Sequence, residues 1–283
     1  MHTMTPDPPN GGGLTELSPA RVPTVAQVAL FLALTFGATW ALFLPLVLGV
    51  FRRGMGAGVP LEAFGILAPT GLAFILTALT AGRGGVRRLW RLGGRWRVGA
   101  GWYAFVLVGP GLAVGVSLAV AAGLGGPAAP ASLSVDAALA AVISGLLAGT
   151  FEEFGWSGFA FPGLHARFGV LWAGAAMGVA VAVWHIPFFL VPGTTQSSSS
   201  FAFFLVQLLP ARILFGWIVA GTGGSVLLAI LFHASWNAWT EFLGSGPMVA
   251  DAAGVTQTAI LGVAAATVLL LNRGPALRTA ART

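Results

Sequence analysis

Five side chains of this 283-residue sequence are of types that do chemistry, and they interrupt runs that are otherwise apolar: Glu152, Glu153, His185, His233 and Asn237. A carboxylate beside an imidazole can take a proton from water. An imidazole and a carboxamide can donate hydrogen bonds to the negative charge that develops on a carbonyl oxygen under attack. Glu152 and Glu153 are adjacent, so on a helix they point about 100° apart and serve different ends. Two carboxylates this close in a low dielectric also call for a cation: one faces a cavity while the other pairs with a positive or backbone group. His233 and Asn237 are four apart and share a helix face, which Glu241 continues.

The elements that carry these residues are membrane helices. Hydrophobic residues make up 57% of the chain and charged residues only 8%, against about 25% in a soluble domain. The fold class expected is all-α and polytopic. Eight spans are predicted, at about 24–50, 61–81, 100–123, 135–161, 169–191, 201–221, 223–243 and 254–272, each near the roughly 20 residues that cross a bilayer. Residues 1–22 read as a disordered cytoplasmic tail rich in Pro and Gly, 23–272 as the membrane domain, and 273–283 as a basic cytoplasmic tail. Pro45, Pro69, Pro110 and Pro210 fall inside spans and are expected to kink them, and Gly174-xxx-Gly178 is read as helix packing.

All fourteen basic residues are arginine. With both termini inside, Arg21, Arg83, Arg87, Arg88, Arg91, Arg95, Arg97, Arg167, Arg273, Arg278 and Arg282 fall on the cytoplasmic side and only Arg52 and Arg53 outside, as the positive-inside rule requires. The net charge of +6 therefore reports topology and points to no nucleic-acid partner. The Ala, Gly and Arg load suggests a high-GC bacterial source and its inner membrane. Cysteine is absent, so a metal would need His and carboxylate ligands.

An ionisable group inside a membrane span is costly and is read first as functional. Helix rise puts Glu152 roughly 16 Å, His185 roughly 25 Å, Arg212 roughly 13 Å, His233 roughly 15 Å and Asn237 roughly 21 Å from the cytoplasmic ends of their spans. Four helices thus present polar groups in one band of a core ~30 Å thick, which favours a shared cavity. Glu62 is read as interfacial, and His2 and His165 are assigned no role. Helix-to-helix hydrogen bonding is the plain alternative for any one of these residues. A proton-coupled transporter would also bury Glu and His, but no internal repeat of the kind such carriers show is visible.

Three motifs in order resemble the family of CAAX proteases and bacteriocin-processing enzymes (type II CAAX prenyl endopeptidases, also called the Abi family). They are Glu152-Glu153-Phe154-Gly155-Trp156-Ser157, then Val181-Ala182-Val183-Trp184-His185, then His233-Ala234-Ser235-Trp236-Asn237. The likeness covers about residues 135–240, with Leu67-Ala68-Pro69 also similar. It implies an intramembrane endopeptidase acting on a membrane-associated or lipidated peptide or protein. Glu152 and His185 would activate water, His233 and Asn237 would stabilise the oxyanion, and Glu153 would be structural. The family motif is Glu-Glu-x-x-x-Arg, and Ser157 stands here in place of its Arg, as Val181 stands in place of its Phe. Arg212, at similar depth, is the candidate replacement cation. The alternative is a catalytically degenerate member acting as a membrane binding or immunity protein. Metal-independent chemistry is favoured, since no His-Glu-x-x-His helix is present; the alternative is Zn²⁺ held by Glu152, His185 and His233.

Overall fold

The computed structural model describes residues 22–126, 134–243 and 251–271; the tail readings at 1–21 and 273–283 lie outside them. The chain is an all-helical polytopic membrane protein. Its helices are α1 (Val25–Val47), α2 (Gly58–Gly93), α3 (Ala100–Gly123), α4 (Val135–Gly155), α5 (Phe161–Trp184), α6 (Ile186–Leu190), α7 (Phe201–Gly221), α8 (Val226–Phe242) and α9 (Ala252–Leu271). A π-helical turn, Trp156–Ala160, joins α4 to α5. Thr24, Ser134, Ser200 and Ser225 cap α1, α4, α7 and α8 by accepting a hydrogen bond from the backbone three residues on, which satisfies N–H groups that the helix start leaves over.

Among the described residues, six helical runs are long and apolar enough to cross a membrane: Val25–Val47, Gly58–Gly93, Ala100–Gly123, Val135–Leu190, Phe201–Gly221 and Ala252–Leu271. The sequence reading of eight differs in two places. Spans 135–161 and 169–191 belong to one run because the seven residues between them stay helical. Val226–Phe242 has only 17 residues. A straight run would hold Glu152 and His185 roughly 50 Å apart, yet both line one cavity. The run doubles back at Gly169, whose φ of +75° is open to glycine. Gly82 (φ +60°) makes the corresponding break in α2. The interior breaks thus fall at these two glycines, while Pro45, Pro69, Pro110 and Pro210 lie within continuous helix.

Two glycine pairs bring the site helices together. A Cβ on Gly174 would lie 2.7 Å from Ile213 Cα, and one on Gly178 would lie 3.0 Å from Leu209 Cα, so α5 meets the backbone of α7. Gly145 and Gly149 do the same for α4 on α8, where a Cβ would lie 2.6 Å from Ala234 O and 2.9 Å from Ile230 O. In lipid no hydrophobic force draws helices together, so this close packing is the main cohesion. Gly174→Ala is accordingly expected to destabilise the fold by about 1–3 kcal/mol, the usual cost of overpacking, and thermal unfolding in detergent would show it as a lowered midpoint.

Candidate active site

Glu153 is the hub of the buried polar cluster, with no exposed surface. Gly145, Gly149 and Glu153 follow at intervals of four, so the stripe that packs α4 on α8 also delivers the Glu153 carboxylate to that interface. There His233 Nδ1 lies 2.8 Å from Oε1. Arg212, on α7 and only 4% exposed, donates through Nη1 to both carboxylate oxygens at 3.0 and 3.1 Å. Ser157 Oγ donates to Oε2 at 2.5 Å from the π-helical turn. A buried carboxylate is tolerable only with such partners, and Glu153 has three on three separate elements.

Arg212 is itself held in place. Its guanidinium lies 4.5 Å over the Phe215 ring, and its backbone packs against Gly174. Its Nε–H is buried with no partner among the described residues.

Glu152 points elsewhere. It lines the cavity with His185, His233 and Asn237, and one of its oxygens accepts from Trp156 Nε1 at 3.2 Å. Trp156 is packed edge-on against Phe31 and Trp184, so that donor is rigid. The roughly 100° between neighbouring side chains on a helix thus sends one carboxylate to the cavity and the other to the cation.

His185 closes α5, where Pro187 prevents simple continuation of the helix. Its Nδ1 lies 2.8 Å from Val181 O. A carbonyl oxygen only accepts, so Nδ1 carries the proton and Nε2 of the neutral ring keeps its lone pair. The rings of Trp184, Phe188 and Phe204 surround it at 4.6 to 5.2 Å. The same argument at His233 puts the Nδ1 proton toward Glu153, so His233 Nε2 is an acceptor in the neutral ring and a donor in the imidazolium.

The cavity has a volume of about 270 Å³. Arg53, Glu62, Thr194, Thr195 and Gln196 line its far end. Glu62, expected to be simply interfacial, is paired there with Arg53 at 3.1 Å. Glu241 shares its helix with His233 and Asn237, but it does not line the cavity; it accepts from Ser144 Oγ at 3.1 Å. His165 is buried apart from the site, stacked on Phe161, with Nε2 unpartnered. Gln207, which was not singled out in the sequence, also lines the cavity and donates to Gln257 of α9 at 3.0 Å.

Among the described residues, no three His, Cys, Asp or Glu side chains are grouped closely enough to hold a metal ion.

Residues 134–239 match the model of the Rce1-like type II CAAX prenyl endopeptidases. These residues begin just before α4 and end within α8, enclosing Glu152, Glu153, Ser157, His185, Arg212, His233 and Asn237. The likeness to that family is confined to this segment. A CAAX prenyl protease 2 of Methanococcus maripaludis is 31% identical over 134 residues, covering 45% of this chain and 48% of the relative. The chain thus spans about half the length of the curated relative that it matches. That relative is archaeal, and nothing in the match supports the bacterial source suggested by composition. The family's Arg is Ser157 in this sequence, and Arg212 is the cation in contact with Glu153.

Proposed function

We propose that this protein is an intramembrane endopeptidase that hydrolyses a peptide bond with a water activated by Glu152 and His185. The observation that carries the proposal is the convergence of Glu152, His185, His233 and Asn237 on one cavity inside a helical bundle, with the second carboxylate already neutralised by Arg212. Glu152 is the base that takes the water proton, and His185 Nε2 accepts the second hydrogen bond that orients the water. The attacking oxygen adds to the peptide carbonyl, and the oxyanion is met by Asn237 Nδ2 and by His233 Nε2–H. With Glu153 and Arg212 paired, a proton on His233 balances the charge of Glu152 and leaves the cluster neutral. The leaving amine then takes the proton held by Glu152. No metal enters this scheme.

Eight crossings are part of the proposal. Gly169 returns the chain through the bilayer, and α8 crosses as a short, tightly packed helix, which leaves both termini in the cytoplasm. The substrate is a peptide or protein that membrane association, by a lipid group or an apolar segment, brings to the cavity. Ser157 is the observation behind the degenerate alternative, and Arg212 removes its main ground by supplying the cation that Ser157 lacks.

The test pairs a variant with a chelator. Asn237→Ala is expected to lower kcat by the order of 10²–10³-fold, as for loss of one oxyanion donor, with the thermal midpoint little changed. Wild-type cleavage is expected to persist in excess chelator after metal stripping. Loss on stripping with return only on adding Zn²⁺ would contradict the scheme, as would unaltered kcat in Asn237→Ala.

A further inference from the structure

The two ends of the bundle differ in charge and in how the cavity meets them. At one end lie Arg83, Arg87, Arg88, Arg91, Arg95 and Arg97, after the break at Gly82, and Arg167, just before the break at Gly169. The Arg95 guanidinium donates to Gly223 O, and Ser225 Oγ donates to Arg95 O at 2.7 Å, so the turn between α7 and α8 belongs to this end. At the other end, beyond the membrane stretch of α2, are Arg52 and Arg53 alone among the described arginines. Arg212 sits between, at the site. Seven against two on short connections puts the arginine-rich end in the cytoplasm.

The cavity leads to the other end. From Glu152, His185 and His233 its lining passes through Phe188, Phe204 and Gln207 to Arg53, Glu62, Thr194, Thr195 and Gln196. Thr195 is exposed and Arg53 is 47% exposed, so this is a polar mouth. Arg53 also donates to Gly193 O at 2.8 Å, tying the connection before α2 to the one before α7 across the rim. On the arginine-rich side the site is sealed. Trp156, Phe159, Phe161, Val219, Val226 and Leu228 are each 3% exposed or less.

We infer that the site opens to the non-cytoplasmic face of the membrane, so that water and peptide enter past Arg53 and Glu62. The substrate class is then peptide segments presented on the outer face, and not the cytoplasmic tails of lipidated proteins. This rests on the peptidase reading for the word substrate, but the direction of opening does not, and it is tested without activity.

The chain has no cysteine, so single-cysteine variants report cleanly. Thr195→Cys marks the mouth, Ala148→Cys the cavity, and Gly99→Cys the arginine-rich end, where a Cβ on Gly99 meets nothing within 4 Å. In intact cells, a membrane-impermeant maleimide is expected to label Thr195→Cys fully and Gly99→Cys only after permeabilisation. A small impermeant methanethiosulfonate should modify Ala148→Cys from outside. Labelling of Gly99→Cys in intact cells, or modification of Ala148→Cys only from the cytoplasmic side in inverted vesicles, would overturn the inference. A variant that does not accumulate is replaced by Gln196→Cys at the mouth or Leu208→Cys in the cavity, with the same outcomes read. Failure of the peptidase reading would appear in cleavage assays and leave every labelling result unchanged.

Discussion

Arg212→Ala is expected to lose about 3–5 kcal/mol of stability, the cost of removing one partner from a buried ion pair, and to abolish cleavage. The cost arises because Glu153 has no exposed surface and cannot exchange the guanidinium for water. Ser157 and His233 would remain as its hydrogen-bond partners, but neither carries a fixed positive charge. Arg212→Lys should fall between, since one nitrogen of Arg212 serves both carboxylate oxygens and a compact ammonium can keep part of that contact. The decisive variant is the double substitution Ser157→Arg with Arg212→Ala. Position 157 is one helical turn from Glu153, and its hydroxyl already touches the carboxylate, so an arginine there can restore the pair from within α4 and the following turn. Partial recovery of the thermal midpoint, with some return of cleavage, is the expected outcome. Intact folding and activity in Arg212→Ala alone would show that Arg212 does not stand in for the family's arginine.

Glu152→Gln is expected to lower kcat by the order of 10²–10⁴-fold, the range for loss of a positioned general base, while the thermal midpoint holds or rises. The glutamine keeps the volume and can still accept from Trp156 Nε1, but it cannot take a proton from water. Glu153→Gln should behave oppositely in stability, because it strands Arg212 without a counter-charge at 4% exposure. The contrast between neighbours separates a base that faces the cavity from a carboxylate that holds the helices. Equal loss of stability in the two variants would contradict that division of labour.

Much of this division was readable in the sequence. The low charge content and the length of the apolar runs fix the membrane class, and helical periodicity alone requires Glu152 and Glu153 to diverge. Depth along the spans brings His185, Arg212, His233 and Asn237 to one level without any knowledge of contacts. Which carboxylate faces which way was less open to reading, although a signal was present. Gly145, Gly149 and Glu153 share one stripe, and a stripe of small residues marks the face that packs on a neighbour. That assigns Glu153 to the α8 interface and leaves Glu152 for the cavity.

Three features were beyond pattern reading. Prolines mark spans for kinking, yet the chain turns at Gly82 and Gly169, because a reversal needs positive φ, which proline forbids and glycine permits. The pairing of Glu62 with Arg53 depends on the connection after α1 folding back onto the start of α2. Gln207 gave no signal because a single Gln in an apolar helix has many uses, and its partner Gln257 lies fifty residues away on a helix beyond the family match.

The central claim is that this chain cuts peptide bonds with Glu152 and His185. The most direct measurement is mass-spectrometric detection of products from a panel of membrane-anchored peptides incubated with purified wild-type, Glu152→Gln and His185→Ala protein. All three would first be checked for matching thermal midpoints. Products from wild type alone are predicted. Identical products from all three proteins, or none from wild type on any peptide, would contradict the account.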